Sequence, residues 1–366
     1  MNLRNSVLSI LLGFLTISAC ERGKALVWSY TTWKPFWGGW SDTGNPLIDG
    51  NNIYVCQGYG WDHKVKIIAL EKTVGKEIWN FDIRWSCGGF TQTKDRIIAH
   101  ASSYTIDKER AKLGPGKGIV WHNRISILDK KDGKLLDEID GALPPVVTNR
   151  WLYFPQDDSL VRYDLETKLA VLKLDGKISS LSGFDDQLVF SLSNEIKEIS
   201  DASRVPRTIA RLQERPAGIK VSDRYICSYG FKDRSARLSC VSRTTNQIVW
   251  QGPEMTSASY SLADNVLYYW QGGNNRKTFR VDLKTGEHHA LARPLVSSLI
   301  RNFGNTLLVT ADAHEVIVLD PSDEKEIWRY HAKGWVKGLQ YDGRLLFVAD
   351  DSGTLSAFQL GGGVSR

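Results

Sequence analysis

The sequence lacks the short motifs that mark common catalytic sites. It has no CxxC pair, and its His314-Glu315 step continues into Val316 instead of the HExxH pattern of zinc hydrolases. The glycine-rich stretch at residues 114–118 lacks the spacing and the Ser or Thr of a phosphate-binding loop. These absences predict a protein that is not an enzyme and that needs no metal or cofactor.

Charge of one sign is not concentrated in any block of the sequence. The 47 Lys and Arg residues against 41 Asp and Glu residues give a formal net charge of +6. Residues 1–19 hold Arg4 and no acid, so their removal lowers this charge by one, to +5. Without a basic tract, the sequence does not support a nucleic-acid partner.

A membrane-spanning run is also missing. The apolar residues 7–17 fall short of the ~20 residues that a helix needs to cross the hydrocarbon core of a bilayer. Arg4 precedes this run, and the small residues Ser18 and Ala19 follow it, as in a secretory signal peptide. We therefore expect residues 1–19 to be cleaved from the mature protein.

A cysteine stands at the predicted cleavage point. The text ISAC, which ends at Cys20, resembles the lipobox of bacterial lipoproteins, in which the cysteine carries the lipid and becomes the mature N-terminus. The resemblance implies a lipid anchor on Cys20 and a short tether over residues 20–24. An ordinary secreted protein and an uncleaved anchor are the alternatives. Glu21, rather than Asp, favours by the same resemblance the periplasmic face of the outer membrane.

Only four cysteines follow Cys20, and an oxidising periplasm permits them to pair. Cys227 and Cys240 lie in two short apolar segments on either side of a polar turn, and a hairpin would place them opposite each other. We expect this pair, which leaves Cys56 with Cys87 by default. The alternative is that all four are small buried apolar residues.

The chain shows no sustained helical periodicity, but one two-part sequence pattern recurs along it. A turn and a short β-prone run are followed by a second run, a polar turn and a third run, as three consecutive antiparallel strands require. The spacing is about 40 residues. The first runs are centred near eight positions: Ile53, Ile97, Leu152, Leu188, Tyr225, Val266, Leu307 and Leu345. Residues 25–366 therefore predict a single all-β domain, an eight-bladed β-propeller of four-stranded blades.

Several units share a turn residue that tolerates positive φ, followed by tryptophan. The turn residues are Gly75, Gly133, Asn246 and Gly286. In three units a tryptophan comes four residues after this position: Trp79, Trp250 and Trp328. We expect this tryptophan to lie on an outer strand and to pack on the next blade. The phrase from Ala69 to Trp79 resembles the repeat of PQQ-like propellers, A-x-D-x-x-T-G-x-x-x-W. That resemblance extends over nearly the whole mature chain.

The N-terminal and C-terminal segments are predicted to form one blade together. The last unit stops at Leu360 without a fourth strand, whereas residues 25–30 have the outer-strand pattern of residues 326–330. We expect the N-terminal strand to close the ring, since closure leaves no unpaired edge. Four arginines in residues 202–215 could line a helix, but Pro206 argues against a long one, and residues 207–212 fit an outer strand.

PQQ-dependent dehydrogenases carry the same repeat and resemble one another in a disulfide between adjacent cysteines near a quinone and Ca²⁺. This sequence has no adjacent cysteines, so the resemblance to the repeat does not extend to the cofactor.

Aromatic residues cluster in the segments between the predicted strands. Trp and Tyr dominate interface hot spots, and propeller loops converge on the two faces of the ring, so a protein-binding surface is predicted. The alternative is that these rings pack between blades. The candidate partner-binding residues are Trp33, Phe36, Trp37, Trp40, Trp61, Trp85, Trp270 and Trp335.

Taken with the lipobox and the eight units, the closing text YDGRLLFVADDSGTLSAF resembles the BamB family of outer-membrane assembly lipoproteins. The resemblance implies a lipid-anchored periplasmic scaffold that binds a protein partner and is monomeric on its own. Two alternatives remain open. One is an immunity-type lipoprotein that inhibits a toxin delivered to the periplasm, and the other is a glycan-binding protein, since aromatic loops also stack on sugars.

Overall fold

The computed structural model describes residues 25–31, 45–57, 65–83, 86–108, 112, 119–141, 145–148, 151–232, 235–255, 258–271, 277–291, 299–303, 307–312 and 314–360. Within these ranges the chain forms 32 strands in eight four-stranded antiparallel sheets. These sheets are the blades of an eight-bladed β-propeller, as predicted. The expected signal peptide and tether, residues 1–24, lie outside the described ranges. No helix in the described residues has the length and apolar character needed to cross a bilayer.

Strands are numbered along the chain, and within each blade they are ordered from the innermost strand to the outermost. Blade 1 contains β2 (Leu47–Asp49), β3 (Asn52–Gln57), β4 (Lys66–Glu71) and β5 (Glu77–Asp82). Blade 2 contains β6 (Ser86–Gln92), β7 (Arg96–Ile106), β8 (Ile119–Asp129) and β9 (Leu135–Asp140). Blade 3 contains β10 (Val146–Val147), β11 (Trp151–Gln156), β12 (Ser159–Asp164) and β13 (Leu169–Asp175). Blade 4 contains β14 (Ile178–Phe184), β15 (Gln187–Leu192), β16 (Glu195–Ser200) and β17 (Arg207–Arg211).

The second half of the ring repeats this order. Blade 5 contains β18 (Arg215–Val221), β19 (Tyr225–Lys232), β20 (Ser235–Ser242) and β21 (Ile248–Gln251). Blade 6 contains β22 (Ala258–Ala263), β23 (Val266–Gln271), β24 (Lys277–Asp282) and β25 (His288–Ala290). Blade 7 contains β26 (Leu299–Phe303), β27 (Leu307–Asp312), β28 (Glu315–Leu319) and β29 (Glu326–His331). Blade 8 contains β30 (Val336–Tyr341), β31 (Leu345–Asp350), β32 (Thr354–Gln359) and β1 (Ala25–Thr31).

The apolar runs of the sequence are the second strands of the blades. Every residue of β31 is buried, whereas the outer strand β5 exposes more than half of its residues. A second strand has a neighbouring blade against each of its faces, so it cannot alternate between apolar and polar residues as a half-exposed strand does. The predicted Arg-bearing segment is the outer strand β17, where Arg207 and Arg211 pair with Glu198 and Glu195.

The core of the protein is divided between the blades. In the described part of the chain, buried apolar side chains form eight clusters, and each cluster is shared by two neighbouring blades. One cluster joins Trp28 and Phe347 of blade 8 to Ile53 and Val55 of blade 1. The ring is therefore closed, because the last blade packs against the first as the others pack on their neighbours.

Strand direction defines two faces of the ring. Turns that join the first strand to the second and the third to the fourth lie on one face, which we call the turn face. Connections between the second and third strands and between blades lie on the opposite face, the loop face. The connection between blades 3 and 4 is short: β13 ends at Asp175 and β14 begins at Ile178. Such a connection cannot span a strand of ~20 Å.

The repeated tryptophan docks on the next blade. Trp28 of blade 8 lies over Gly75 in the β4–β5 turn of blade 1, and its indole N–H donates to the Lys72 carbonyl at 2.9 Å. Trp79 of blade 1 repeats this contact on Gly133 of blade 2 and donates to the Lys130 carbonyl at 2.9 Å. The turn residue therefore serves two purposes: it adopts positive φ, and it leaves room for the ring.

The other two tryptophans at this position pack differently. Trp250 contacts Tyr269 and His288, and a Cβ atom at Gly286 would meet open space. Trp328 packs against Tyr330 and Phe358. In blade 8 the third strand β32 and the outer strand β1 come from opposite ends of the described chain, so no turn joins them and Trp328 has none to dock on.

The seam of the ring is closed by the N-terminal strand, as predicted. β1 pairs antiparallel with β32 from Ala25 opposite Gln359 to Thr31 opposite Thr354. Contacts to blade 1 hold this blade from its other side. Lys72 forms an ion pair of 2.8 Å with Asp342 of blade 8, and the Tyr30 hydroxyl donates to Glu77. The tryptophan, the ion pair and the tyrosine thus all contact blade 1 within residues 72–77.

Two disulfides link the four cysteines in the predicted pairs. Cys227 and Cys240 are direct cross-strand partners on β19 and β20, with Cα atoms 4.1 Å apart. Cys56 on β3 and Cys87 on β6 join blade 1 to blade 2, with Cα atoms 6.2 Å apart. One bond therefore staples a hairpin, and the other staples a blade interface.

Replacing Gly133 by alanine should destabilise the protein more than the same change at Gly286. Both residues have positive φ, which costs an L-residue ~1–2 kcal/mol. A Cβ atom at residue 133 would also lie 2.5 Å from the Trp79 ring, and such overpacking adds ~1–3 kcal/mol. The midpoints of guanidinium unfolding of Gly133→Ala and Gly286→Ala measure the difference, and equal losses would contradict the docking role.

Replacing Gly75 by alanine should loosen the seam first. The new Cβ atom would lie 2.5 Å from the ring of Trp28. Trp28 lies on β1, which pairs within its blade with β32, a strand from the other end of the described chain. We expect faster amide exchange in β1 and β32 by hydrogen–deuterium exchange mass spectrometry, with blades 3 to 6 unchanged. Gly133→Ala is the matched control, and it should leave exchange in β1 as in the wild type.

Candidate functional site

Most of the predicted aromatic residues lie outside the described residues. These are Trp33, Phe36, Trp37, Trp40, Trp61 and Trp85. The strands that flank these residues in the sequence are described, and their ends have a known position in the ring. Residues 32–44 join β1 to β2, residues 58–64 join β3 to β4, and residues 84–85 join β5 to β6. All the strand ends that flank these segments lie on the loop face.

Trp270 lies at the loop-face end of β23 and is partly buried. Its ring packs against the cluster between blades 6 and 7, which includes Leu291, Ile300 and Leu308. The indole N–H is buried and has no hydrogen-bond partner among the described residues. Trp270 thus contributes to a blade interface as well as to the edge of the loop face.

Trp335 is the exposed aromatic residue of the loop face that the sequence predicted. It lies in the short connection between β29 and β30, and 48% of its surface is exposed. Two backbone contacts hold it in place. The Trp335 amide donates to Asp351 Oδ1 at 2.6 Å, and the Asp351 amide donates to the Trp335 carbonyl at 2.9 Å. The ring is therefore presented to solvent from a fixed backbone.

A buried carboxylate organises the turn that holds Trp335. Asp350 is 2% exposed and accepts hydrogen bonds from the amides of Ser352 at 3.0 Å, Thr354 at 3.3 Å and Gly334 at 3.3 Å. Charged acceptors make such bonds stronger than neutral ones. A Cβ atom at Gly334 would lie 2.5 Å from Asp351 Oδ1 and from the Ser352 amide nitrogen, so the two chain segments approach as closely as glycine allows.

Two side chains flank the Trp335 ring. The Lys337 ammonium lies 5.4 Å from the ring centroid, in a cation–π arrangement, and 3.9 Å from Asp351. The His314 ring meets Trp335 edge-on, with centroids 6.4 Å apart. His314 comes from the β27–β28 connection of blade 7, so the exposed ring spans the junction of blades 7 and 8.

The structure adds one exposed aromatic residue that the sequence analysis missed. Phe231, near the loop-face end of β19, is 46% exposed and meets Tyr229 edge-on at 5.5 Å. The text YGF, just before the polar turn of the Cys227–Cys240 hairpin, was the available signal for it. The loop face therefore presents aromatic residues from blade 5 as well as from blades 7 and 8.

The surroundings of Trp335 combine an exposed aromatic ring with polar and charged side chains. No group of three or more His, Cys, Asp or Glu side chains in the described ranges could hold a metal ion. The features that the structure does bring together are a rigid exposed indole, a neighbouring ammonium and a hydrogen-bonded turn. Rigid aromatic residues with a polar rim are typical of protein-binding surfaces.

Comparisons with solved structures agree on the fold. BamB from Moraxella catarrhalis superimposes with a TM-score of 0.67 at 12% identity and covers 94% of this chain and 99% of its own. A computationally designed protein, Ika8, gives 0.66 at 13% identity and covers 88% and 98%. The Pan2 WD40 domain of Neurospora crassa gives 0.54 at 10% identity and covers 95% and 98%. At these identities the similarity concerns the propeller alone.

Sequence comparison identifies the family. A search of curated protein sequences finds no significant match. The family model described as outer membrane protein assembly factor BamB matches residues 15–289 and 290–364, which include all eight blades. With its PQQ-like repeats and its closed eight-bladed ring, this chain belongs to the BamB family.

Proposed function

We propose that this protein is a non-catalytic scaffold of outer-membrane protein assembly, anchored through a lipid on Cys20 at the periplasmic face of the outer membrane. The match of the BamB family model over residues 15–289 and 290–364 carries the proposal, because that family is described as an assembly factor. The lipobox-like text before Cys20 supports the anchor.

The seam strand orients the ring relative to the proposed anchor. Ala25 lies opposite Gln359, at the end of the third strand of blade 8, so β1 begins on the turn face and ends on the loop face. The five residues 20–24 span at most ~18 Å when fully extended. We infer that a lipid on Cys20 keeps the turn-face end of β1 near the membrane and leaves the loop face directed toward the periplasm.

We infer that the partner binds the loop face. The described strand ends that flank the segments with most of the predicted aromatic residues lie on this face, and Trp335 and Phe231 are exposed there. The proposed surface consists of Trp335 and Trp270 together with the loop-face segments that contain Trp33, Phe36, Trp37, Trp40, Trp61 and Trp85. Because this face points away from the bilayer, we expect the contacted part of the partner to be a periplasmic domain.

The assay for this function is recovery of partners with the detergent-solubilised lipoprotein from its native cell. Recovery of components of the barrel-assembly machinery supports the scaffold. Stable pairing with a secreted toxin, without that machinery, would contradict the scaffold and support an immunity-type inhibitor. Recovery of neither, with retention on a glycan column, would favour a glycan-binding protein.

Replacing Trp335 by alanine should weaken partner recovery at least ~10-fold, as expected for a tryptophan hot spot. The midpoint of thermal unfolding should stay near the wild-type value, because nearly half of the side chain is already exposed. Val205→Ala is the matched control, since Val205 is 76% exposed and lies on the turn face. Unchanged recovery with Trp335→Ala, or an equal loss with Val205→Ala, would refute the assignment to the loop face.

A further inference from the structure

The wall of the central channel carries an excess of positive charge. The innermost strands of the eight blades surround the axis of the ring. In their described residues these strands contain one acid, Asp49, and four cations, Arg215, Lys220, Arg301 and Lys337. The acid is already neutralised, because Asp49 forms an ion pair of 2.7 Å with Lys130.

Two of these cations lie at a similar height in the channel. Lys220 comes one residue before the end of β18, and Arg301 comes two residues before the end of β26. Both strands run toward the turn face, so the two side chains start from nearby levels. Arg301 also contacts another blade: its Nη2 lies 3.5 Å from Oδ1 of Asn45, which precedes β2 of blade 1, two blades away.

Neither cation has an acidic partner in the described part of the chain. The Lys220 ammonium lies over the Tyr260 ring, 5.4 Å from its centroid. Arg301 donates only to neutral oxygens there, the Ile300 carbonyl at 3.4 Å and the Asn45 amide. By contrast, Lys337 has Asp351 at 3.9 Å.

Burial without an acidic partner disfavours these charges. Burial lowers the pKa of Lys220 to about 8, and the charge of Arg301 contributes to the decrease. Burial also lowers the pKa of Arg301. Two like charges held in a partly desolvated site make a local positive potential that a bound anion would relieve.

We propose that Lys220 and Arg301 form a binding site for a small oxyanion, a carboxylate or a phosphate group, inside the central channel. The guanidinium of Arg301 offers a planar fork of donors that matches two oxygens of such a group, and the Lys220 ammonium adds a point charge. The Tyr260 ring supports the ammonium, and the Asn45 amide positions the guanidinium. The proposal for this site does not depend on the proposed assembly function.

Isothermal titration calorimetry of the full lipoprotein in detergent tests the site. Sodium phosphate and sodium acetate are titrated in separate experiments against a sodium chloride background of equal ionic strength. Saturable binding of either anion supports the site, and the tighter of the two shows whether phosphate or carboxylate is its chemistry. Absence of saturable binding of both anions to the wild-type protein would overturn the proposal, whatever the variants do.

Lys220→Met and Arg301→Met should each weaken binding at least ~10-fold, since each removes a charge-assisted contact. Arg301→Lys keeps the charge without the fork and should bind with intermediate affinity. Arg215→Met is the matched control, because it removes a cation at the opposite end of the same strand as Lys220, and it should bind as the wild type does. Equal affinity in wild type and in the Lys220→Met/Arg301→Met double variant would refute the assignment.

Discussion

The pairing of β1 with β32 is the contact on which the rest of the molecule depends. Each blade buries both of its faces only if it has two neighbours, so a ring of eight blades needs eight interfaces. Without Ala25–Thr31, blade 8 would have three strands and β32 would expose an unpaired edge. The interface with blade 1 would also lose Trp28, which contributes to its core and donates to Lys72. Closure thus joins the two ends of the chain in one structural unit and places the N-terminal end of β1 on the turn face.

The repeated sequence pattern corresponds to a specific contact at the blade interfaces. The tryptophan of one blade contacts the glycine of the next, and the described structure shows this at the interfaces of blades 8 and 1 and of blades 1 and 2. Other interfaces use polar contacts between turns instead. Thr148 of blade 3 donates to Asp201 of blade 4 at 2.6 Å, and Ser222 of blade 5 donates to the Asp264 carbonyl of blade 6 at 2.8 Å. Different contacts can therefore hold the same geometry, and repeats that match the PQQ-like pattern poorly still form regular blades.

Sequence analysis predicted the features that have a local sequence pattern and the strand that is needed to complete a four-stranded blade. The second strands are visible as apolar runs, and the Cys227–Cys240 pair follows from a short hairpin. It did not distinguish Trp79 from Trp328, which share one position in the repeat, because their packing depends on the neighbouring blade. Nor did it single out Lys220 and Arg301. A cation on an inner strand resembles a surface cation in sequence, and only the closed ring brings Arg301 beside Asn45. The same holds for function. The sequence repeat indicates the family, whereas the two faces of the ring can be identified only from the structure.

Closure of the ring by the N-terminal strand can be measured directly with a pair of introduced cysteines. Thr31 and Thr354 face each other across β1 and β32, and their hydroxyl oxygens are 3.2 Å apart. The four cysteines at residues 56, 87, 227 and 240 are already paired, and the lipid proposed on Cys20 would block the fifth thiol, so the new thiols have each other as partners. In the Thr31→Cys/Thr354→Cys variant, the account predicts that non-reducing peptide mapping by mass spectrometry finds a disulfide between residues 31 and 354. Two free thiols at these positions in the folded, oxidised protein would contradict closure of the ring by this strand.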